Sequence, residues 1–132
     1  MNKEIAFKWF KQALHDLEMA ERNIEIEGYD VAAFLAHQAV EKLLKSIFAL
    51  EGKAIPRIHY IDELAYQLSL SEELINDVVD LTADYTFARY PDVAEHIPYE
   101  EYDEDVARVK VEKARRIFEA LKERYKALED ER

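Results

Sequence analysis

A chain of 132 residues fits one domain with one core, and the lack of cysteine excludes disulfides, thiolate metal sites and cysteine nucleophiles together. With 2 glycines and 3 prolines the chain is short of turn formers, which argues against a β-rich fold and for a few long helices. The 29 acidic side chains against 18 basic ones leave a net charge of −11; that charge repels phosphate backbones at long range and excludes a generic basic surface for nucleic acid, while leaving room for a local cationic pocket.

Lys3 to Glu27 reads as a first helix, with Ile5, Trp9, Ala13, Leu17, Ala20 and Ile24 recurring at steps of three and four as an apolar stripe. Gly28 is expected to end it, and Asp30 to cap a second helix running to about Leu50. Val31, Phe34, Leu35, Ala39, Leu43, Ile47 and Leu50 form the inner face expected for that helix. Ile58 to Leu68 reads as a short third helix, and Ser71-Glu72-Glu73-Leu74 opens a fourth, with a serine cap and acidic residues in the first turn. Arg89 to Tyr102 breaks the pattern and reads as a loop with one helical turn; a last helix spans about Asp103 to Leu128. The expected fold is all-α: a single domain over residues 1–132, an up-and-down four-helix bundle with an additional short helix. No apolar run reaches the roughly 18 residues of a transmembrane helix, and the N-terminus lacks a signal-peptide pattern. Together with the lack of cysteine, this places the chain in the cytoplasm as an expectation.

With so few glycines, neither a Gly-rich phosphate loop nor a Gly-x-Ser-x-Gly nucleophile elbow can form. His37 and Glu41, at i and i+4, could face one ion, but a di-iron bundle needs two Glu-x-x-His copies and further carboxylates. No metal and no cofactor is therefore expected. Two polar sets remain. Within 14 residues, Arg89 to Tyr102 gathers Arg89, Tyr90, Asp92, His96, Tyr99 and Tyr102. An arginine fork suits phosphate, histidine can move a proton near neutral pH, and tyrosines can stack on bases. The structural alternative pairs Arg89 with a carboxylate and uses the tyrosines to plug the bundle end. On the second helix, Gln38, Lys42 and Lys45 share a face, beside a Glu41–Lys45 pair at i, i+4 that a solvated helix face would also show.

These residues carry a resemblance. Ala36-His37-Gln38-Ala39-Val40-Glu41-Lys42-Leu43-Leu44-Lys45 resembles the second-helix signature of the HEPN domain family; His59 to Leu64 resembles its His-x-x-x-x-Leu stretch, and Ala88-Arg89-Tyr90-Pro91-Asp92 its Arg-Tyr-Pro-Asp signature. The opening Trp9-x-x-x-Ala13-x-x-Asp16-Leu17-x-x-Ala20 pattern fits as well, so the likeness spans nearly the whole chain. It implies a helical bundle, commonly a homodimer, that binds a nucleotide or RNA and often works beside a minimal nucleotidyltransferase in a toxin–antitoxin-like pair. The ligand-binding residues so implied are Arg89, Tyr90, Asp92, Gln38, Lys42 and Lys45. Catalytic relatives are metal-independent ribonucleases; in that reading Arg89 binds the scissile phosphate and His96 is the acid/base. Three functions stay open: a nucleotide- or phosphate-binding accessory module, an endoribonuclease toxin using Arg89 and His96, and a non-catalytic dimerisation bundle.

Overall fold

The computed structural model describes residues 2–92 and 97–130. Helix α1 (Lys3–Glu25) starts where the Asn2 side chain accepts from the Ile5 amide at 3.1 Å, and α2 (Tyr29–Leu50) returns beside it. The Asn2 amide donates to the Ala49 carbonyl at 3.1 Å, which sets the start of α1 against the end of α2 and makes the pair antiparallel. A connection through residues 51–60 leads to α3 (Ile61–Gln67) and then to α4 (Glu72–Thr82), whose cap is Ser71 as its sequence predicts, accepting from the Leu74 amide at 3.2 Å. Two single turns follow, α5 (Asp84–Phe87) and α6 (Pro98–Glu101). Asp103 then caps α7 (Glu104–Ala120), and α8 (Lys122–Glu129) continues it after a break at Leu121.

The core is a four-helix bundle of α1, α2, α4 and α7 with α8, and no strand occurs among the described residues. Phe10, Leu43, Leu44, Ile47, Ile61, Leu64, Leu81, Ile117 and Leu128 lie at its centre, fully enclosed. Ion pairs record the register. Asp77 meets Arg116 at 3.0 Å and Asp80 meets Lys113, so α4 and α7 run antiparallel; Glu51 takes the Arg124 fork at 2.8–3.0 Å, which ties α8 to the end of α2.

The expected boundaries change in four places, one of them the third helix, which runs Ile61–Gln67 and not from Ile58, leaving residues 58–60 in the connection. Glu27, not Gly28, takes the left-handed turn that ends α1 (φ 63°), and Gly28 is the residue before α2 (φ −86°). The Gly28 amide reaches back to the Asn23 carbonyl and the Glu27 amide to that of Ile24, a Schellman closure in which only the residue at Glu27 must have positive φ. Asp30 therefore lies in the first turn of α2, where it complements the helix dipole without capping by its side chain. The last helix is broken at Leu121. The inner stripes are also rotated: Ala6, Phe10, Ala13 and Ala20 are buried on α1, while Ile5 is exposed; Val31, Val79 and Val109 likewise face outward.

Candidate functional site

One row of α2 departs from the apolar core. His37, Glu41 and Lys45 follow each other at one-turn intervals, and all three are buried: 0 %, 3 % and 5 % exposed. The Glu41–Lys45 pair expected on a solvated face thus forms inside the protein, at 3.0 Å. What encloses it is the chain after α2 on one side and α1 on the other. The 51–60 connection brings His59 Nδ1 to 3.0 Å from Glu41 Oε2, the same oxygen that takes the Lys45 ammonium. From α1, the Trp9 ring lies 5.6 Å from the Lys45 ammonium. Lys42, one residue round the helix, reaches across to the buried Asp16 of α1. Gln38 is half-buried.

His37 is the anomaly of this row. Neither ring nitrogen makes a well-formed hydrogen bond among the described residues, the His59 backbone is the polar group that draws on the ring, and Glu41 Oε1, itself unpartnered, is 4.0 Å away. Burial pushes its pKa down to about 4, against the opposing pull of the Glu41 carboxylate, because a charged imidazolium cannot be hydrated there.

The α5 turn lies over this row. Its Tyr85 ring stacks on His59 at 4.8 Å with the planes 13° apart and tilts against His37 at 5.4 Å and Phe34 at 6.3 Å. The turn is held from behind. Asp84, 3 % exposed, accepts from the Tyr102 hydroxyl at 2.5 Å and lies 3.0 Å from the Lys110 ammonium. Burial raises the Asp84 carboxyl pKa while those two partners draw it back, and the Tyr102 hydroxyl is raised by burial and by the same carboxylate. Tyr102 thus does plug the structure, closing a small cluster with Ala33 and Ala88.

Arg89 follows directly. Its amide and that of Tyr90 both donate to the Thr86 carbonyl, and its Nε donates to the Tyr85 carbonyl at 3.2 Å. The guanidinium carbon sits 4.6 Å from the Phe34 ring, 4.7 Å from Tyr85 and 4.7 Å from Tyr90. Exposed rings stabilise a cation by about 0.5–1 kcal/mol each, so the side chain is oriented without being neutralised. Among the described residues Arg89 has no carboxylate partner, whereas Arg22, Arg108, Arg115, Arg116 and Arg124 each have one. Pro91 and Asp92 make the exposed turn that follows. His96 lies outside the described residues.

Arg89, Tyr90 and Asp92 are therefore exposed together after α5, while Lys45 is enclosed within the protein and Lys42 is engaged with α1. Phe34, His59 and Tyr85 complete the constellation from α2, a connection and α5; His59 is the first residue of the His-x-x-x-x-Leu stretch, while nothing in the periodicity places the three together. Only the i, i+4 step of His37 and Glu41 hints at the buried row. A groove of about 1040 Å³ lies elsewhere, between the α3–α4 turn and the far half of α7. Its arginines, Arg115, Arg116 and Arg124, are all paired with carboxylates, so it offers volume without a free cation. No three His, Asp or Glu side chains among the described residues are arranged to hold a metal ion, and no helix among them is long and apolar enough to cross a membrane.

The family model of the HEPN domain matches residues 6–125. Among solved structures, a protein from Thermus thermophilus is 28 % identical with a TM-score of 0.85, covering 94 % of this chain and 99 % of its own. An archaeal HEPN homologue is 33 % identical with a TM-score of 0.74, covering 92 % and 96 %. A HEPN domain protein from Thermotoga maritima, at 24 % identity and a TM-score of 0.69 over 88 % and 95 %, shares the fold. The curated proteins contain no match.

Proposed function

We propose, since the chain belongs to the HEPN domain family, that it is a nucleotide- or phosphate-binding accessory module, working in the cytoplasm as a homodimer beside a minimal nucleotidyltransferase in a toxin–antitoxin-like pair. The observation that carries the binding role is Arg89: an exposed guanidinium oriented by three aromatic rings, with no carboxylate partner among the described residues. An oriented, unneutralised fork is what a phosphate needs. Tyr90, 42 % exposed, offers a ring face on which a base can stack. Asp92 adds an acceptor on the same turn; of the α2 residues, Lys45 is enclosed against Glu41 and Lys42 is held by Asp16, so the proposed contact rests on Arg89, Tyr90 and Asp92. A single local cation also suits a chain of net charge −11, which a long polyanion would find repellent.

The test is thermal unfolding with each of the common ribonucleoside monophosphates and triphosphates in turn. A true ligand stabilises by about 2.7 kcal/mol at a hundredfold excess over Kd, and Arg89→Ala removes that gain when each protein's ligand-induced shift is measured against its own free form. If no nucleotide shifts the transition, the binding role is lost. The ribonuclease alternative makes a separate demand: RNA cleaved in the presence of EDTA, with cleavage abolished by His96→Ala. A dimerisation bundle shows neither effect.

A further inference from the structure

His59 is unusually well prepared for a residue outside any helix. It lies on the connection between α2 and α3 with its side chain 53 % exposed, yet one edge of its ring is fixed to a carboxylate that is only 4 % exposed. A carboxylate accepts and cannot donate, so in the neutral imidazole Nδ1 carries the proton and Nε2 keeps its lone pair. Among the described residues Nε2 has no hydrogen-bond partner. The ring cannot swing freely, because its face lies flat on Tyr85. Lys45, bonded to the same oxygen of Glu41, balances the carboxylate charge, so an anion arriving beside His59 meets no net repulsion from the pair.

Tyr85 joins this acceptor to Arg89. The imidazole centroid is 4.8 Å and the guanidinium carbon 4.7 Å from the Tyr85 ring centroid. His59 and Arg89 are therefore no farther apart than these two distances laid end to end, a span that one nucleotide bridges between its phosphate and its sugar hydroxyls. A metal ion is the poorer occupant for the His59–Glu41 edge, since the Lys45 ammonium is already 3.0 Å from the shared oxygen.

We infer that His59 is a specificity-determining residue: its Nε2 accepts a hydrogen bond from a sugar hydroxyl of the ligand whose phosphate is held by Arg89, so the site selects ribonucleotides over analogues lacking that hydroxyl. The inference rests on the nucleotide-binding role proposed above. Glu41 and Lys45 act as positioning residues, fixing the tautomer and holding the ring edge.

Equilibrium binding of ATP and of 2′,3′-dideoxy-ATP, measured by calorimetry on the intact chain, separates the possibilities. If another ribonucleotide gives the larger thermal shift, it and its dideoxy form are the probes. The wild type should bind the ribonucleotide about fivefold more tightly, the worth of one neutral hydrogen bond. His59→Phe, which keeps a ring on Tyr85 but has no nitrogen, should bind both forms with the affinity of the dideoxy form. His59→Gln places an amide oxygen near the Nε2 position and should restore part of the preference, which a merely structural role would not. Arg89→Ala should weaken both forms alike. Equal affinities for the two forms in the wild type, or a preference that survives His59→Phe, overturn the inference while leaving nucleotide binding intact. Binding of neither form by the wild type removes the nucleotide-binding role and this inference with it.

Discussion

His37 shows how one residue can set a property of the whole chain. Its imidazole is fully enclosed with no well-formed hydrogen bond beyond the pull of the His59 backbone, an environment in which the charged form costs more than in water. That cost is felt in acid. The free side chain titrates near 6.5, the buried one near 4. Between those values the unfolded chain takes up a proton that the folded chain does not, so stability is fully present above about pH 6.5 and falls as pH drops toward 4. The difference amounts to about 3 kcal/mol for this one group. Urea denaturation at a series of pH values should show the decline, and His37→Phe should remove roughly one proton from its slope. An unchanged slope in that variant would mean that the folded protein protonates His37 readily. Arg89 is the contrasting case: exposed, and held by rings in place of counter-charges. The two residues face Tyr85, one beneath the surface and one on it.

The elements carry their own strain, and it lies at their ends. Three helices close with the same backbone pattern. After α1, α2 and α3 the left-handed position is filled by Glu27 (φ 63°), Gly52 (φ 76°) and Ser69 (φ 58°) respectively. Only the middle one is the residue type that adopts this conformation freely. A side chain with a Cβ pays about 1–2 kcal/mol there, partly offset because glycine has more unfolded-state freedom to lose. Glu27→Gly and Ser69→Gly should therefore each stabilise by about 0.5–1 kcal/mol in chemical denaturation, and Gly52→Ala should destabilise by about 1 kcal/mol; destabilisation by both glycine variants would locate the closing strain elsewhere. The scarcity of glycine that marks the sequence as helical is the same scarcity that leaves two caps strained. It also explains what could be read in advance. Helix order, the Ser71 and Asp103 starts and the single turn before Tyr102 follow from periodicity and capping chemistry. The rotation of the α1 stripe does not: Ala13, Ala20 and Ile24 of the expected stripe are buried, but Ala6 and Phe10 pack in place of Ile5 and Trp9, because apolar residues at neighbouring positions allow either face. Arg89 and Tyr90 are visible as a polar interruption. His59 and Phe34 join them only through tertiary contacts, which no local spacing encodes.

At the scale of the molecule, charge decides which ligands can approach. With 29 acidic and 18 basic side chains, and with Lys42, Lys45, Lys110, Lys113 and five of the arginines engaged by carboxylates, little cationic surface is left to follow a nucleic-acid backbone. Arg57 is a second arginine without a carboxylate among the described residues, on the exposed connection that also carries His59. A protein that neutralises many phosphates loses affinity steeply with salt, whereas one phosphate contact on a single strand gives a logarithmic slope of only about −0.7. Rising salt also screens the repulsion from the rest of this acidic surface, which flattens the slope further. Any single-stranded RNA that the chain binds should therefore lose no more than about threefold in affinity between roughly 50 and 200 mM salt, measured by fluorescence anisotropy on a short labelled strand. A hundredfold loss would require several phosphates in contact with basic side chains at once, and would favour a surface that tracks RNA over a site that holds one nucleotide.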